Sequence, residues 1–497
     1  MAHGAMLTEL AIVTGYLLIT LVIGVAAFRV TDRGAVSYYL ADRSLGTLVL
    51  VFTTFATLLS AFTFFGGPNL TFAAGPEWIL VMGVMDGVLF AILWYIMGYR
   101  QWQFGQQEGY VTIGELLGDQ LGSVGLRRLI AGVSIVWLFP YVMLQQMGAG
   151  EAIVGLTGGG VPYWVGAFGI TIFMIGYVAV AGMRGVAWTD TLQGIVMLGV
   201  IWIAVGVIVQ AAGGIGALGT TMAVETPEFL ALGGGVYTPQ WMIGTAVTIA
   251  FGVTMFPQIN QRFFVARDVQ TLKRSFMIWP VMVVLLFVPA FMFGAWGAAL
   301  GVTVPQGENV IAVVLSAVAP GWFVAVVIAG ALAAMMSSSD SMLLSGASYF
   351  TRDLIATMRA DAFGRLGEAW VGRVGVMIFA LAAFGGSLLR PGTLITVGDT
   401  AFGGFAQLTL PVLIALYWRR TSARAVIVAV VLTQVGYLGH VFLDPVSVGP
   451  ITVFAATYLG WDFALYGMVA GAVLTVVGSM LDPAVDRPTT GNEAFIE

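Results

Sequence analysis

Residues 331–344 read ALAAMMSSSDSMLL and lie within an otherwise apolar segment, residues 322–350, that is long enough to cross a bilayer. Four serines and an aspartate at such a depth are costly in hydrocarbon, so they must face protein, water or a ligand. In a helix, Ser337, Asp340 and Ser341 share one face. Hydroxyl and carboxylate oxygens without nitrogen or sulfur are typical of a site for a hard cation. The alternative is that the serines bond to the preceding turn of their own helix or join neighbouring helices.

The composition places the whole chain in a membrane. Of its 497 residues, 59% are hydrophobic and 9% are charged, whereas about a quarter of the residues in a soluble domain are charged. The apolar segments are long and continuous, which predicts helices rather than the alternating strands of an outer-membrane barrel. The lipid bilayer is therefore the expected surrounding medium.

The same composition excludes several classes of site. The chain has no cysteine and only two histidines, which argues against disulfides, iron–sulfur clusters, haem with two histidine ligands and polyhistidine zinc sites. A net charge of −5 argues against a nucleic-acid partner. Neither a nucleophile–base pair nor a cofactor motif is evident, so we do not expect an enzyme, and no obligate protein partner is evident.

Thirteen apolar spans can be delimited, and the predicted fold class is an all-α integral membrane protein. The spans are Met6–Phe28, Thr47–Ala74, Trp78–Gly98, Leu129–Leu156, Val161–Ala181, Val186–Ala212, Trp241–Val265, Phe276–Leu300, Val310–Phe350, Val374–Leu389, Thr396–Trp418, Ala425–Phe442 and Leu459–Met480. A short interfacial helix is expected near Thr112–Leu121.

The basic residues assign an orientation to these spans. Of the twenty lysines and arginines, all but Arg390 fall on alternate connections, as the positive-inside rule requires of the cytoplasmic side. This predicts a multi-pass protein of the plasma membrane with its N-terminus outside and its C-terminus in the cytoplasm. The polar tail after Leu481 is expected to be disordered.

The second span differs from the others because small and hydroxyl residues occupy its middle. It reads FTTFATLLSAFTFFGGPNLTFAAG over residues 52–75, and a break near Leu58–Ala61 is plausible. Broken helices supply free carbonyls and dipole ends at the midplane of transporters. The alternative is an ordinary proline-kinked helix.

Carboxylates occur within the spans at Asp86, Asp190 and Asp340. No lysine, arginine or histidine lies in the middle of a span to pair with them. Such an interior suits mobile cations, or acids kept protonated by desolvation. Two alternatives stay open: Asp190 could pair with Arg184 at the inner face, and Asp86 could be a neutral acid bonded to neighbouring backbone.

Several stretches, in order along most of the chain, resemble the sodium:solute symporter family. They are YYLADRSLG (38–46), GYVTIGELLGDQLGS (109–123), AGMRGVAWTDTLQG (181–194), FPQINQRFFVARD (256–268), LAAMMSSSDSMLLSGAS (332–348) and FGGFAQLTLPVLIALYWRR (402–420). The family includes transporters for sugars, proline, sialic acid, pantothenate and monocarboxylates.

The resemblance implies a fold similar to that of LeuT, with two five-helix repeats of inverted topology, one extra helix before them and two after. The expected parts are an N-terminal helix and loop (1–46), the first repeat (47–212), an external loop (213–240), the second repeat (241–418), two C-terminal helices (419–481) and the tail (482–497). Substrate and ion would bind where the first helix of each repeat is broken.

The resemblance also implies the residues of an Na⁺ site. It would use the carbonyls of Ala56, Leu59 and Ala334 and the hydroxyls of Ser337 and Ser338. A second ion site or an ion exit path would use Asp190, Asp340 and Ser341, together with the same serines. The acid at position 340, where some relatives have serine, leaves the occupancy of that second site open.

For the solute, family positions that line the central cavity correspond to Phe62, Gln145 and Gln407, with Asp86 as a further candidate; helix packing is the alternative role. Leu58 stands where the proline transporters have aspartate, so proline is disfavoured, and the 402–420 stretch resembles the pantothenate and monocarboxylate branch. A carboxylate solute would require Asp86 to be protonated, distant or paired with an amino group. The expected function is sodium-coupled symport of a small organic solute by alternating access. The alternatives are proton coupling in the same fold and a sensor that binds solute without moving it.

Overall fold

The computed structural model describes residues 2–29, 34–305, 308–358, 363, 367–448 and 451–482. Helices account for most of these residues. Their bounds are α1 Ala2–Phe28, α2 Ala35–Leu40, α3 Thr47–Leu58, α4 Gly67–Ala74, α5 Asp86–Glu108, α6 Ile113–Gln120, α7 Val124–Leu156, α8 Tyr163–Ala211, α9 Ile215–Glu225, α10 Pro239–Thr254, α11 Pro257–Val265, α12 Val269–Ala299, α13 Val310–Val318, α14 Gly321–Ser348, α15 Ala356–Met358, α16 Glu368–Ser387, α17 Leu394–Tyr417, α18 Ala423–Phe442 and α19 Phe463–Leu481.

Shorter elements complete the chain. Three π-helical segments precede α4, α5 and α15, at Phe62–Gly66, Ile79–Met85 and Tyr349–Ile355. Single 3₁₀ turns are found at Ala41–Arg43 and Pro227–Leu230. Between α18 and α19 lie two antiparallel hairpins, whose strands are β1 Val446–Val448, β2 Ile451–Val453, β3 Thr457–Tyr458 and β4 Trp461–Asp462.

The helices have the length and apolarity of a multi-pass membrane protein. Among the described residues, ten are long and apolar enough to cross a bilayer, and two bent pairs raise that number to twelve. A further apolar helix, Tyr163–Ala179, is shorter. The all-α membrane class is therefore confirmed, while the count of thirteen spans, the domain limits and the orientation of the termini stay predictions. The tail from 483 onward lies outside the described residues.

Two spans are broken, and they occupy corresponding places in the two predicted repeats. The first break separates α3 from residues 62–74 with a bend of 60°, and the second separates α10 from α11 with a bend of 56°. At the first, α3 ends at Leu58 and Leu59 is extended, so the break predicted near residues 58–61 is confirmed. At the second, Phe256 leaves the helical region just before Pro257, because proline disfavours helical backbone in the residue before it.

Gly182 separates the fifth and sixth predicted spans within α8. Its backbone has φ +60° and ψ −158°, a conformation that only glycine adopts readily. A β-carbon there would also lie 2.6 Å from the carbonyl oxygen of Tyr38. The two halves of α8 are thus separate helical segments, as their spacing predicted.

One predicted span is wrong. Val310–Phe350 is not one helix, because α13 ends at Val318 and α14 begins at Gly321. Ala319 is extended (ψ 156°), as expected of a residue that precedes proline, here Pro320. The short helix expected near Thr112–Leu121 is present as α6.

The serine-rich helix α14 lies at the centre of the molecule. It packs against α8, α7, α3 and α1, and 83% of its most apolar 18-residue window is buried. All four serines at 337–339 and 341, and Asp340 between them, are fully buried. These polar groups therefore face protein and not lipid.

Candidate ion and solute site

The break in α3 faces the serines of α14. The hydroxyl of Ser337 donates hydrogen bonds to the carbonyl oxygens of Ala56 (2.6 Å) and Ala334 (3.0 Å). The hydroxyl of Ser338 donates to the carbonyls of Leu59 (2.5 Å) and Thr57 (2.8 Å). The five oxygens predicted for the Na⁺ site are thus brought together.

This cluster has the chemistry that a monovalent hard cation requires. Its oxygens belong to hydroxyls and carbonyls, and its five residues are buried with exposed fractions of 0%. Because α3 ends at Leu58, carbonyls of its last turn are available to groups outside the helix. Five neutral dipoles can replace the hydration of Na⁺ without the charge density that would favour a divalent ion. Sodium binding here stays a prediction, and the donor set fits it.

The residues predicted for the second ion site surround a fixed cation. The Nη2 atom of Arg262 lies 3.1 Å from a carboxylate oxygen of Asp190 and 2.5 Å from the hydroxyl of Ser341. The same atom lies 3.1 Å from the hydroxyl of Thr53 and 2.7 Å from that of Thr57. All of these residues are buried.

Two expectations about Asp190 are therefore wrong. Its partner is Arg262 rather than Arg184, which instead pairs with Asp42 at 3.1 Å. The carboxylates also do not lie in an interior free of fixed cations, because the short helix α11 carries Arg262 into the core. Its exposed fraction there is 1%.

Asp340 belongs to the same buried cluster. One of its carboxylate oxygens accepts a 2.6 Å hydrogen bond from the hydroxyl of Tyr177, and the other accepts a 3.1 Å hydrogen bond from Ser341. Ser341 also lies 2.9 Å from the hydroxyl of Thr57. The two carboxylates of the cluster, Asp190 and Asp340, are thus linked through Ser341 and Arg262.

An aromatic cluster encloses the region after the break. Phe62 meets Phe402 edge to face, with ring centroids 5.2 Å apart, and Phe402 also contacts Tyr141 and Phe256. The Gln145 side chain accepts a 2.8 Å hydrogen bond from the backbone amide of Ala61. Phe62 and Gln145 therefore both lie at the broken segment.

The other two predicted solute residues have different surroundings. The side-chain amide of Gln407 donates to the carbonyl of Ala464 (3.1 Å) and so joins α17 to α19. Asp86 is fully buried, and among the described residues neither carboxylate oxygen has a hydrogen-bond partner. The backbone bond considered for Asp86 is thus not found there. Solute contacts of all four residues stay predictions.

Several residues of this region were not singled out from the sequence. They are Thr53, Thr57, Tyr141, Tyr177, Phe256, Arg262 and Phe402. For Arg262 the available signal was its position within a predicted span, Trp241–Val265, near the inner end. The threonines lie in the FTTFAT stretch, at positions four apart that share a helix face.

Comparisons of the sequence identify similar proteins. The model of the sodium:solute symporter family matches residues 38–432. The sodium/pantothenate symporter of Escherichia coli (strain K12) is 27% identical over 488 residues, covering 95% of this chain and 96% of that protein. The high-affinity proline transporter PutP of Bacillus subtilis (strain 168) is 25% identical over 462 residues, covering 91% and 92%.

Solved structures match the fold. A Na⁺-coupled sialic acid symporter, in a substrate-bound outward-open state, superimposes with a TM-score of 0.77 at 17% identity, covering 97% of this chain and 99% of that one. Mhp1, a transporter of the nucleobase-cation-symport-1 family, superimposes in a closed conformation with a TM-score of 0.56 at 16% identity, covering 89% and 93%. The helical architecture is therefore shared with cation-coupled symporters.

Proposed function

The chain belongs to the sodium:solute symporter family, and from this premise we propose that it imports a small organic carboxylate of the pantothenate type together with Na⁺. Members of the family are transporters rather than enzymes, and Na⁺ is their coupling ion. The observation that carries the proposal is the direct contact between the α14 serines and the carbonyls at the break in α3.

In this proposal Na⁺ binds to the carbonyls of Ala56, Leu59 and Ala334 and to the hydroxyls of Ser337 and Ser338. Each serine hydroxyl now donates hydrogen bonds to carbonyl oxygens, so it would rotate to present a lone pair to the ion. The carbonyls would then be freed for the same ion. The ion thereby replaces hydrogen bonds that already join α3 to α14.

This position explains how ion binding could control the solute site. Because α3 lies in the first predicted repeat and α14 in the second, one ion would hold the two repeats together. The chain bends by 60° directly after α3, where the backbone amide of Ala61 is bonded to Gln145. Sodium can shift the conformational equilibrium only by its differential affinity for the two forms, and a site shared between the moving parts supplies that difference.

For the second ion site we propose that Arg262 takes the place of the ion. Its guanidinium contacts Asp190 and Ser341, two of the five residues expected there, and adds Thr53 and Thr57. A sodium ion at the same oxygens would have to displace a buried positive charge. The proposal therefore assigns one Na⁺ to each transport cycle.

The pantothenate-type solute is supported by two independent features. The pantothenate symporter of E. coli is similar over nearly the full length of both chains. Leu58 also stands where the resemblance places an aspartate in the proline transporters, which disfavours proline. Phe62 and Gln145 would contact the solute, with Gln407 and Asp86 as further candidates. We also propose residence in the plasma membrane, with the N-terminus outside and the C-terminus in the cytoplasm.

The decisive experiment is uptake of labelled pantothenate into proteoliposomes. We expect accumulation with an inward Na⁺ gradient while an ionophore collapses the proton gradient, and none when K⁺ replaces Na⁺. Accumulation that follows the proton gradient alone would support the proton-coupled alternative. Sodium-dependent stabilisation by the solute without any uptake would support the sensor alternative. A panel of other small carboxylates, amino acids and sugars tests the solute class in the same preparation.

A further inference from the structure

A cavity lies beside Phe402 and outside the residues assigned to the solute. It has a volume of about 350 Å³ and is lined by α10, α17, α18 and the start of α19. Phe402 lines this cavity and also contacts Phe62 and Tyr141, so its ring separates the cavity from the broken segment of α3. The volume is far larger than a metal ion needs and is in the range of small-molecule sites.

The polar groups of the cavity are mainly hydrogen-bond acceptors and hydroxyls. Asp399 has a buried carboxylate oxygen without a hydrogen-bond partner among the described residues. The Thr248 hydroxyl oxygen is likewise buried and without a partner in that part of the chain, and only 8% of this residue is exposed. Buried polar groups normally have hydrogen-bond partners, so these two atoms indicate that a ligand or water supplies the missing hydrogen bonds.

A second carboxylate faces the same space. Asp462 uses one oxygen to cap α19, accepting a 2.7 Å hydrogen bond from the amide of Ala464. Burial raises the pKa of Asp462, while the amide of Ala464 and the nearby His440 lower it. Among the described residues that line the cavity there is no lysine or arginine, and His440 is the one basic side chain. Two acids therefore face the cavity without a fixed strong cation.

Aromatic side chains complete the lining. Trp241, Phe402 and Tyr437 contribute rings, and aromatic faces attract cations that have been withdrawn from water. The imidazole of His440 is stacked on Phe463 with centroids 4.6 Å apart, so it is held against the wall. Carboxylates, unpaired hydroxyls and aromatic faces together form the recognition chemistry of an organic ammonium ion.

We propose that this cavity binds a small primary alkylamine, with an aryl or alkyl group, in its protonated form. The ammonium group lies between Asp399 and Asp462 and reaches the hydroxyl of Thr248, while its hydrocarbon part packs against Trp241, Phe402 and Tyr437. The two acids favour a cation over a carboxylate solute here. The residues that line the cavity are also different from those proposed to contact pantothenate.

A bound amine joins two helices of the second predicted repeat. Thr248 belongs to α10, the first helix of the second predicted repeat, whereas Asp399 belongs to α17. An ammonium that bonds to both joins α10 to α17. It inhibits uptake without competing with the solute, because Phe402 separates the two sites.

The test uses the purified full chain in detergent, with 2-phenylethylamine as the probe and 2-phenylethanol as its neutral counterpart. We expect the amine to raise the melting temperature at neutral pH, where an alkylamine is protonated, and the alcohol to have no comparable effect. Asp399→Asn should weaken amine binding about tenfold or more, because it removes a charge-assisted hydrogen bond. Asp444→Asn, which changes an exposed acid in the connection between α18 and α19, is the matched control and should leave the affinity unchanged.

Thr248→Val is an independent variant that keeps all charges. It should weaken the binding of the amine about threefold to tenfold. The proposal is overturned if amine and alcohol shift the melting temperature equally, or if Asp399→Asn binds the amine as tightly as the parent chain. If Asp399→Asn does not fold, an unchanged affinity in Thr248→Val overturns the proposal. Sodium-dependent uptake, measured after the same protein is reconstituted into proteoliposomes, reports the proposed function separately.

Discussion

Two polar clusters on α14 lie one helical turn apart and differ in their source of positive charge. Around Ser337 and Ser338, the partners are the neutral carbonyls at the end of α3. Around Ser341, the partner is the guanidinium of Arg262, which also pairs with Asp190. Both clusters are buried, and both have the oxygens of a cation site.

The difference determines which cluster can exchange its cation. A site of neutral dipoles gains charge only when an ion enters, and it can release that ion without leaving a buried charge unpaired. A site that holds a covalently attached guanidinium keeps its positive charge throughout the cycle. The first cluster is therefore suited to coupling, and the second to holding α3, α8, α11 and α14 together.

The largest expected effect comes from removing that fixed charge. Arg262→Met leaves Asp190 buried without its partner and should lower the free energy of unfolding by about 3–5 kcal/mol. We expect Na⁺, but not K⁺, to restore part of the loss, because the vacated oxygens then resemble a second sodium site. Chemical unfolding in detergent at matched Na⁺ and K⁺ concentrations measures both effects.

Arg184→Met is the control for this change. Arg184 pairs with Asp42 at the same distance of 3.1 Å, but the two side chains are 23% and 42% exposed. Such a pair contributes about 1 kcal/mol or less. If Arg262→Met were no more destabilising than Arg184→Met, the assignment of Arg262 as the structural cation would be wrong.

Substitutions in the cluster around Ser337 and Ser338 should change transport rather than folding. The double variant Ser337→Ala, Ser338→Ala removes two of five ligands and should raise the Na⁺ concentration for half-maximal uptake at least about tenfold, since each lost ion–dipole bond contributes on the order of 1 kcal/mol. Uptake in proteoliposomes over a range of Na⁺ concentrations measures this shift.

Ser339→Ala is a control on the same turn of α14. Its hydroxyl oxygen is buried and has no hydrogen-bond partner among the described residues, so its removal should leave the Na⁺ dependence unchanged. An unaltered Na⁺ dependence in the double variant would refute the sodium site. An effect of Ser339→Ala as large as that of the double variant would indicate general damage to the helix.

The two clusters also differ in how far the sequence could predict them. The serines and the break have local signals, since hydroxyl residues interrupt two apolar spans at the midplane depth. The contact between these serines and the break was predicted from the family resemblance. The expected oxygens of Ala56, Leu59 and Ala334 are within hydrogen-bond distance of the serines, as that resemblance implied.

Arg262 had a weaker local signal, its position near the inner end of the predicted span Trp241–Val265, and its place in the core depends on a long-range feature of the backbone. It is 72 residues from Asp190 and 209 residues from Thr53. It enters the core only because the chain bends by 56° between α10 and α11, which shortens the span and draws its inner end inward. The assignment of basic residues to alternate connections places the same arginine on the cytoplasmic side.

The smallest expected effect tests whether the clusters are separate. Tyr177→Phe removes the 2.6 Å hydrogen bond to Asp340 and should lower the free energy of unfolding by about 1–3 kcal/mol. Because Asp340 belongs to the Arg262 cluster, the Na⁺ concentration for half-maximal uptake should change by less than about threefold. Tyr39→Phe, which loses a 3.0 Å bond to Thr351 in another part of the core, controls for the cost of a buried hydroxyl. A tenfold shift in the Na⁺ concentration for half-maximal uptake with Tyr177→Phe, absent from Tyr39→Phe, would place Asp340 on the ion pathway. The cluster around Arg262 would then take part in coupling together with the cluster around Ser337 and Ser338.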